Sequence, residues 1–222
     1  MIFKKLNDRV MRCGFYVSRN ATRLKMFLKD NFDICDITFI LTDNKGNTEL
    51  SSLCRQHHIP FFEFSYKELG LSGKKQNEFI SNKLLELLNE TESDYCFATG
   101  ARILEGEVLT AYENHLINLH PALLPAYKGL HAIDRALEEH VLLLGNTAHF
   151  ITKDLDSGPM IMQNLILRKD FQNYDSVLDM QVLMFKQIIL WLKDSRIEVI
   201  DGAVSVKDAV YELGSFIPRL EI

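Results

Sequence analysis

The four cysteines of the 222-residue chain, Cys13, Cys35, Cys54 and Cys96, include no CxxC pair. Their spacing excludes the common zinc and dithiol frameworks, and three of them lie in or beside apolar runs, as buried free thiols of a reducing compartment do. A glycine-rich phosphate fingerprint is also missing. The loop after the first apolar run reads Ser18-Arg19-Asn20-Ala21-Thr22-Arg23, without the glycines of a dinucleotide turn, which argues against an NAD site. Positive charge is not in excess: the formal net charge of -5 disfavours a general nucleic-acid binder. No apolar stretch is long enough to span a bilayer, and the charged segment Met1–Val10 has no signal-peptide core. With no repeat, low-complexity tract or long linker, a single continuous cytoplasmic unit is expected.

What is present is ordinary globular composition, 47% hydrophobic and 25% charged, in apolar runs that alternate with helix-period segments. Strands are expected at Cys13–Ser18, Ile34–Thr42, Ile59–Phe62, Asp94–Thr99 and Leu116–Leu119, with helices at Ala21–Leu28, Leu50–Gln56 and Lys75–Leu88 between them. This alternation predicts an α/β fold with a doubly wound, mostly parallel sheet. The pattern then changes. Asn146–Thr152 and Pro159–Arg168 read as strands joined by a turn at Asp156-Ser157-Gly158, and so as an antiparallel pair. A closing helix is expected over Ser176–Leu192, and Ile197–Val206, split by Asp201-Gly202, reads as a small hairpin.

The chemistry-bearing stretch is Ile117-Asn118-Leu119-His120-Pro121, running into a loop with Pro125 and Gly129. On a strand, Asn118 and His120 share one face, and Pro121 keeps His120 out of the helical region. Asp156 is the carboxylate that a fold could add to them, although an aspartate before Ser157-Gly158 also serves as a turn cap. His131 and His149 are equally compatible with structural and functional roles. A metal site is disfavoured: His57 and His58 are adjacent, and no H-x-x-x-H or Cys/His framework occurs. The loop Ser18–Leu24 offers backbone N–H groups and a helix start to an anion, with Arg19, Thr22 and Arg23 nearby. Asn20 as a helix cap with solvated arginines is the alternative.

The segments Asn118-Leu119-His120-Pro121-Ala122-Leu123-Leu124-Pro125, Lys128-Gly129-Leu130-His131, Gly145-Asn146-Thr147-Ala148-His149-Phe150 and Leu155-Asp156-Ser157-Gly158-Pro159 resemble the formyltransferase family, most closely its glycinamide ribonucleotide branch. The likeness runs over roughly residues 12–200 and implies a Rossmann-like formyltransferase fold with an antiparallel C-terminal portion. Residues 1–11 then form an N-terminal extension, and 201–222 a tail packed on the same domain. The resemblance implies a formyl donor, 10-formyltetrahydrofolate, held by Arg102, Ile103 and Leu104 and by Lys153, Asp154, Leu155, Asp156 and Ser157. It implies no metal. Asn118 and a protonated His120 would stabilise an oxyanion, while Asp156 keeps His120 charged and relays a proton. Arg19, Asn20, Thr22, Arg23, Lys128, His131, His149 and Gln181 would face the acceptor.

Two departures fall on the acceptor side. The first loop lacks that branch's glycines, and Gln181 stands about where it has a glutamate. The expected acceptor is therefore a primary amine on a phosphate- or nucleotide-bearing small molecule, first a nucleotide-linked amino sugar of surface polysaccharides, with glycinamide ribonucleotide as the alternative. Hydrolysis of the donor and formylation of methionyl-tRNA rank lower, because only about ten residues precede the similar region and the chain ends soon after it. A folate- or nucleotide-binding protein without catalysis is the different-class reading. No nucleic acid or membrane partner is expected, and a homodimer is compatible with the sequence.

Overall fold

The computed structural model describes residues 10–212 and 214–222. The proposed N-terminal extension lies outside the described residues as far as residue 9. In chain order the elements are β1 (Arg12–Val17), α1 (Thr22–Asn31), β2 (Asp36–Thr42), α2 (Thr48–Gln56), β3 (Phe61–Glu63), α3 (Lys74–Glu90), β4 (Tyr95–Ala98), α4 (Glu107–Ala111), β5 (Leu116–His120), α5 (Ala132–Glu138), β6 (Leu143–Phe150), β7 (Met160–Leu167), α6 (Tyr174–Leu178), α7 (Met180–Lys193), β8 (Ile197–Ile200), β9 (Ala203–Val206) and β10 (Phe216–Ile217).

Eight strands form one sheet in the order β10-β7-β6-β5-β4-β1-β2-β3. The pairs from β3 to β5 are parallel, and those from β5 through β6 and β7 to β10 are antiparallel. The expected change of pattern after the fifth strand is thus a change of strand direction. Strands β8 and β9 form the separate hairpin read from Asp201-Gly202. Strand β2 is buried on both faces, which explains its unbroken ITFIL run. On one side of the sheet the core gathers Phe15, Phe97 and Phe185, the first two stacked at 5.3 Å and Phe185 edge-on to Phe97 at 5.2 Å. Such ring geometries add to the area that the rings bury. On the other side, α3 packs Ile80, Leu84, Leu87 and Leu88 against Tyr16, Phe39 and Cys96. All four cysteines are free and buried, as three of them were expected to be.

The closing helix departs from its expected single span. Asn173 caps α6, accepting from Ser176 N at 3.1 Å, and the helix ends at Asp179, where α7 begins. There Val182 N reaches Asp179 O, a three-residue bond that tightens the turn and breaks the register. Strand β10 was not foreseen. Two residues that pair with Gln163 and Asn164 carry too short a pattern to stand out in sequence.

Candidate active site

The last parallel strand and the first antiparallel one, β5 and β6, build the site. Asn118 pairs directly across from His149, and His120 from Thr147, so all four side chains share one face of the sheet. The carboxylate arrives differently. The turn between β6 and β7 folds back over that face, where Asp156, in a left-handed conformation at φ 46°, is set between the two imidazoles. Asp156 Oδ2 lies 3.3 Å from His120 Nδ1, and Oδ1 lies 3.5 Å from His149 Nε2. The fold-back requires Gly158: a Cβ there would stand 1.8 Å from the carbonyl oxygen of Phe150.

The surroundings explain how each group is charged. Burial alone would raise the Asp156 pKa. The hydrogen bond from His149, the Gly129 N–H at 2.7 Å and the charges of His120 and His149 outweigh it and hold the carboxyl at about 2. His120 is only 5% exposed, and burial pulls its pKa below the ordinary imidazole value. The Tyr127 carbonyl and Asp156 pull it back, while His149 and Arg135 lower it further. Desolvation thus works against the positive charge that sequence reasoning expected Asp156 to hold on His120. His120 Nε2 donates to Tyr127 O at 2.8 Å, so Nδ1 is the ring nitrogen that can exchange a proton with Asp156. The gap between Nδ1 and Oδ2 is a place prepared for a proton. Asn118 Nδ2 lies 3.4 Å from His149 Nε2, a loose contact that leaves its donors available, and His149 Nδ1 is fixed on Phe150 O at 2.9 Å.

The residues expected to hold the donor flank this cluster. The segment after β4 lies on one side of β5 and the turn after β6 on the other, and Leu104 and Ile151, one from each, pack with Leu116 in a single apolar cluster. Ile103 and Leu155 are half exposed, and the Arg102 guanidinium sits 5.2 Å over the Tyr66 ring. Apolar side chains on both flanks fit a flat, partly apolar cosubstrate. Lys153 and Asp154 are exposed, and Ser157 Oγ takes the Lys128 ammonium at 2.6 Å. Among the described residues, no group of three or more His, Cys, Asp or Glu side chains could hold a metal ion.

The residues expected to face the acceptor do not all gather. Arg19 and Ala21 take left-handed conformations, φ 54° and 48°, so the loop keeps positive-φ turns without glycine. Arg19, Asn20 and Thr22 are exposed, whereas Arg23 is spent on Asp175 and Asp179 of the α6–α7 junction. His131 is exposed and turned to Asp134 at 3.4 Å. Gln181 is buried on the far face of the sheet, donating to Asn146 Oδ1 and Leu119 O. Sequence reasoning missed the two backbone groups that complete the cluster, Tyr127 O and Gly129 N–H. It also missed Thr147 and Gln163, which pin the proline loop through Leu124 N, Leu124 O and Ala122 O. The one signal for the backbone pair was Gly129 in Tyr127-Lys128-Gly129.

The sequence profile of the formyl transferase family matches residues 11–175, well over half of the chain. The chain belongs to this family. As a formyl transferase family member it is similar to formyltetrahydrofolate deformylase 1, mitochondrial, of Arabidopsis thaliana, with 33% identity over 130 residues, 58% of this chain and 38% of that protein. The formyltetrahydrofolate deformylase of Escherichia coli strain K12 is 31% identical over 142 residues, 64% of this chain and 48% of that protein. The chain therefore spans less than half the length of these curated relatives. The crystal structure of phosphoribosylglycinamide formyltransferase from Anaplasma phagocytophilum superimposes with a TM-score of 0.74 at 25% identity, over 89% of this chain and 95% of that one. This family member therefore shares its fold with the phosphoribosylglycinamide enzyme and local sequence with the deformylases. No helix among its described residues is long and apolar enough to cross a membrane.

Proposed function

We propose that this chain moves the formyl group of 10-formyltetrahydrofolate onto a primary amine of a phosphate-bearing small molecule, with residues 12–200 as the catalytic unit. The observation that carries the reading is the His120–Asp156 pair at 3.3 Å, poised to share a proton, with the Asn118 amide on the same face. As the amine nitrogen bonds to the formyl carbon, the formyl oxygen gains negative charge. Asn118 Nδ2 donates to it, and His120, once protonated, adds positive charge on the same face; groups held ready in a buried site stabilise such an oxyanion strongly. Asp156, ionised, accepts the proton lost by the amine, directly or through one water, and shares it with His120 Nδ1. The pair returns that proton to the leaving nitrogen as its bond to the formyl carbon breaks. No covalent bond to the protein is required.

A nucleotide-linked amino sugar is the favoured acceptor and glycinamide ribonucleotide the alternative. Supporting the first is the loop Arg19–Thr22, which keeps its left-handed turns while placing side chains where the ribonucleotide branch has glycines. The test is to incubate the protein with 10-formyltetrahydrofolate and each acceptor and to follow release of tetrahydrofolate. Efficient turnover of glycinamide ribonucleotide would sink the amino-sugar assignment. Equal release with and without any amine would replace transfer by hydrolysis, the activity that the names of the curated relatives give to those proteins.

A further inference from the structure

On the reverse face of the sheet, directly behind the cluster, amide side chains interrupt the hydrophobic core. Asn146 of β6 and Asn164 of β7 face each other across the ladder, both at 0% exposure, and Gln181 in the first turn of α7 keeps 7%. Asn146 Nδ2 donates to Asn164 Oδ1 at 2.6 Å and to Val177 O at 2.8 Å, and Asn146 N donates to the same Oδ1 at 3.0 Å. Asn146 Oδ1 in turn accepts from Gln181 Nε2 at 2.8 Å, and that Nε2 also reaches Leu119 O at 3.3 Å. A continuous chain of amides thus runs from β7 across β6 to α7 and ends on the Leu119–His120 peptide.

The carbonyl at the end of this chain explains why it is there. The β4–β5 ladder pairs Cys96 with Leu116 and Phe97 with Ile117 and then stops, so Leu119 lies past its end. A buried carbonyl left unpaired costs about 1–3 kcal/mol. Gln181 supplies the missing donor, and Asn146 fixes which way the Gln181 amide points. Leucine at these positions would bury more apolar surface but would hold no peptide. Asn118 and His120 flank Leu119, so whatever sets the tilt of that carbonyl sets the aim of both side chains on the opposite face.

We infer that Gln181, oriented by Asn146, is a positioning residue that aims Asn118 and His120 by holding the Leu119–His120 peptide from behind the sheet. The inference rests on the formyl-transfer reading for its kinetic consequence but not for its structural one, and the test separates the two. In the full chain, Gln181→Met keeps much of the side-chain volume and removes both donated bonds. The expected result is a kcat about tenfold lower, as for a small misplacement of reacting groups, with the KM for 10-formyltetrahydrofolate within twofold and unfolding within a few degrees of wild type. The His120 ring signals in 1H–15N NMR, assigned by their loss in His120→Gln, are expected to move. Unchanged kcat together with unmoved His120 signals in folded Gln181→Met would overturn the inference and reduce the amides to core support. Should Gln181→Met fail to fold, Gln181→Glu, closer in shape and lacking the N–H groups when ionised, is judged by the same readouts. A wild-type protein that does not use the donor defeats the functional reading alone, because the ring signals still decide the positioning.

Discussion

Two corners of the molecule handle charge in opposite ways. At the β5–β6 corner, Asp156 is shared among two imidazoles and one backbone N–H, and His120 turns Nδ1 toward it, so the group is held in place while a proton can pass between them. At the first loop, Arg23 is closed off by Asp175 and Asp179 and serves to tie α1 to the α6–α7 junction. Both corners carry charged residues that the sequence makes equally conspicuous. Only the first leaves chemical capacity unspent, and that separates a candidate reacting group from a fastening.

The largest expected effect comes from removing the carboxylate. Asp156→Asn should lower kcat by about 10²–10⁴-fold, the range for a positioned acid–base group, measured at saturating donor and acceptor. Near-wild-type turnover would take Asp156 out of the mechanism and level the contrast between the corners. Next come Asn118→Ala and His120→Ala, each expected to cost about 10²-fold in kcat as one oxyanion donor is lost.

The pH dependence of stability sharpens the contrast further. Asp156 is held at about 2 in the folded chain, so the stability it contributes is complete above its unfolded value, near 3.8, and is lost as pH falls from there toward 2. His120 acts in the same direction at higher pH: its folded pKa lies below 6.5, so the unfolded chain takes up the proton first and stability declines as pH drops below that value. Thermal melts from pH 7 to pH 3 should therefore fall in wild type and fall less below pH 4 in Asp156→Asn. Identical slopes would mean that Asp156 is not held low.

The smallest effects belong to the first loop. Arg23→Ala should cost about 1 kcal/mol in denaturant unfolding, as expected for partly exposed ion pairs. Arg19→Ala should act on the KM of a phosphate-bearing acceptor instead. A larger KM change in Arg23→Ala than in Arg19→Ala would show that the tie opens to bind substrate.

Much of this was legible in the chain. The apolar runs of β1, β2, β4 and β5 declare themselves because strands buried on both faces cannot disguise their composition, and the pair β6–β7 is marked by its turn. Asn118 and His120 could be placed on one face by strand period alone. That Asp156 meets both His120 and His149 could not, because the contact depends on how a turn folds back, which no local pattern encodes. Tyr127 O and Gly129 N–H were invisible for a simpler reason: backbone groups carry no residue signature. Gln181 was expected at the acceptor because it stands about where the related branch has a glutamate, whereas its amide donates to Leu119 O and Asn146 Oδ1 behind the sheet. Sequence reasoning took the charge of His120 from Asp156 alone, whereas in the fold desolvation opposes that charge.

Strand β10 offers a last consequence. Phe216 pairs with Asn164, so the C-terminal segment lies over the outer end of the buried amides. Hydrogen exchange should expose the arrangement: if the segment peels away, the backbone protons of β7 lose their protection first, and those of β6 follow as water enters along the line of amides. Protection at the far edge of the sheet would then report how long the centre stays aimed.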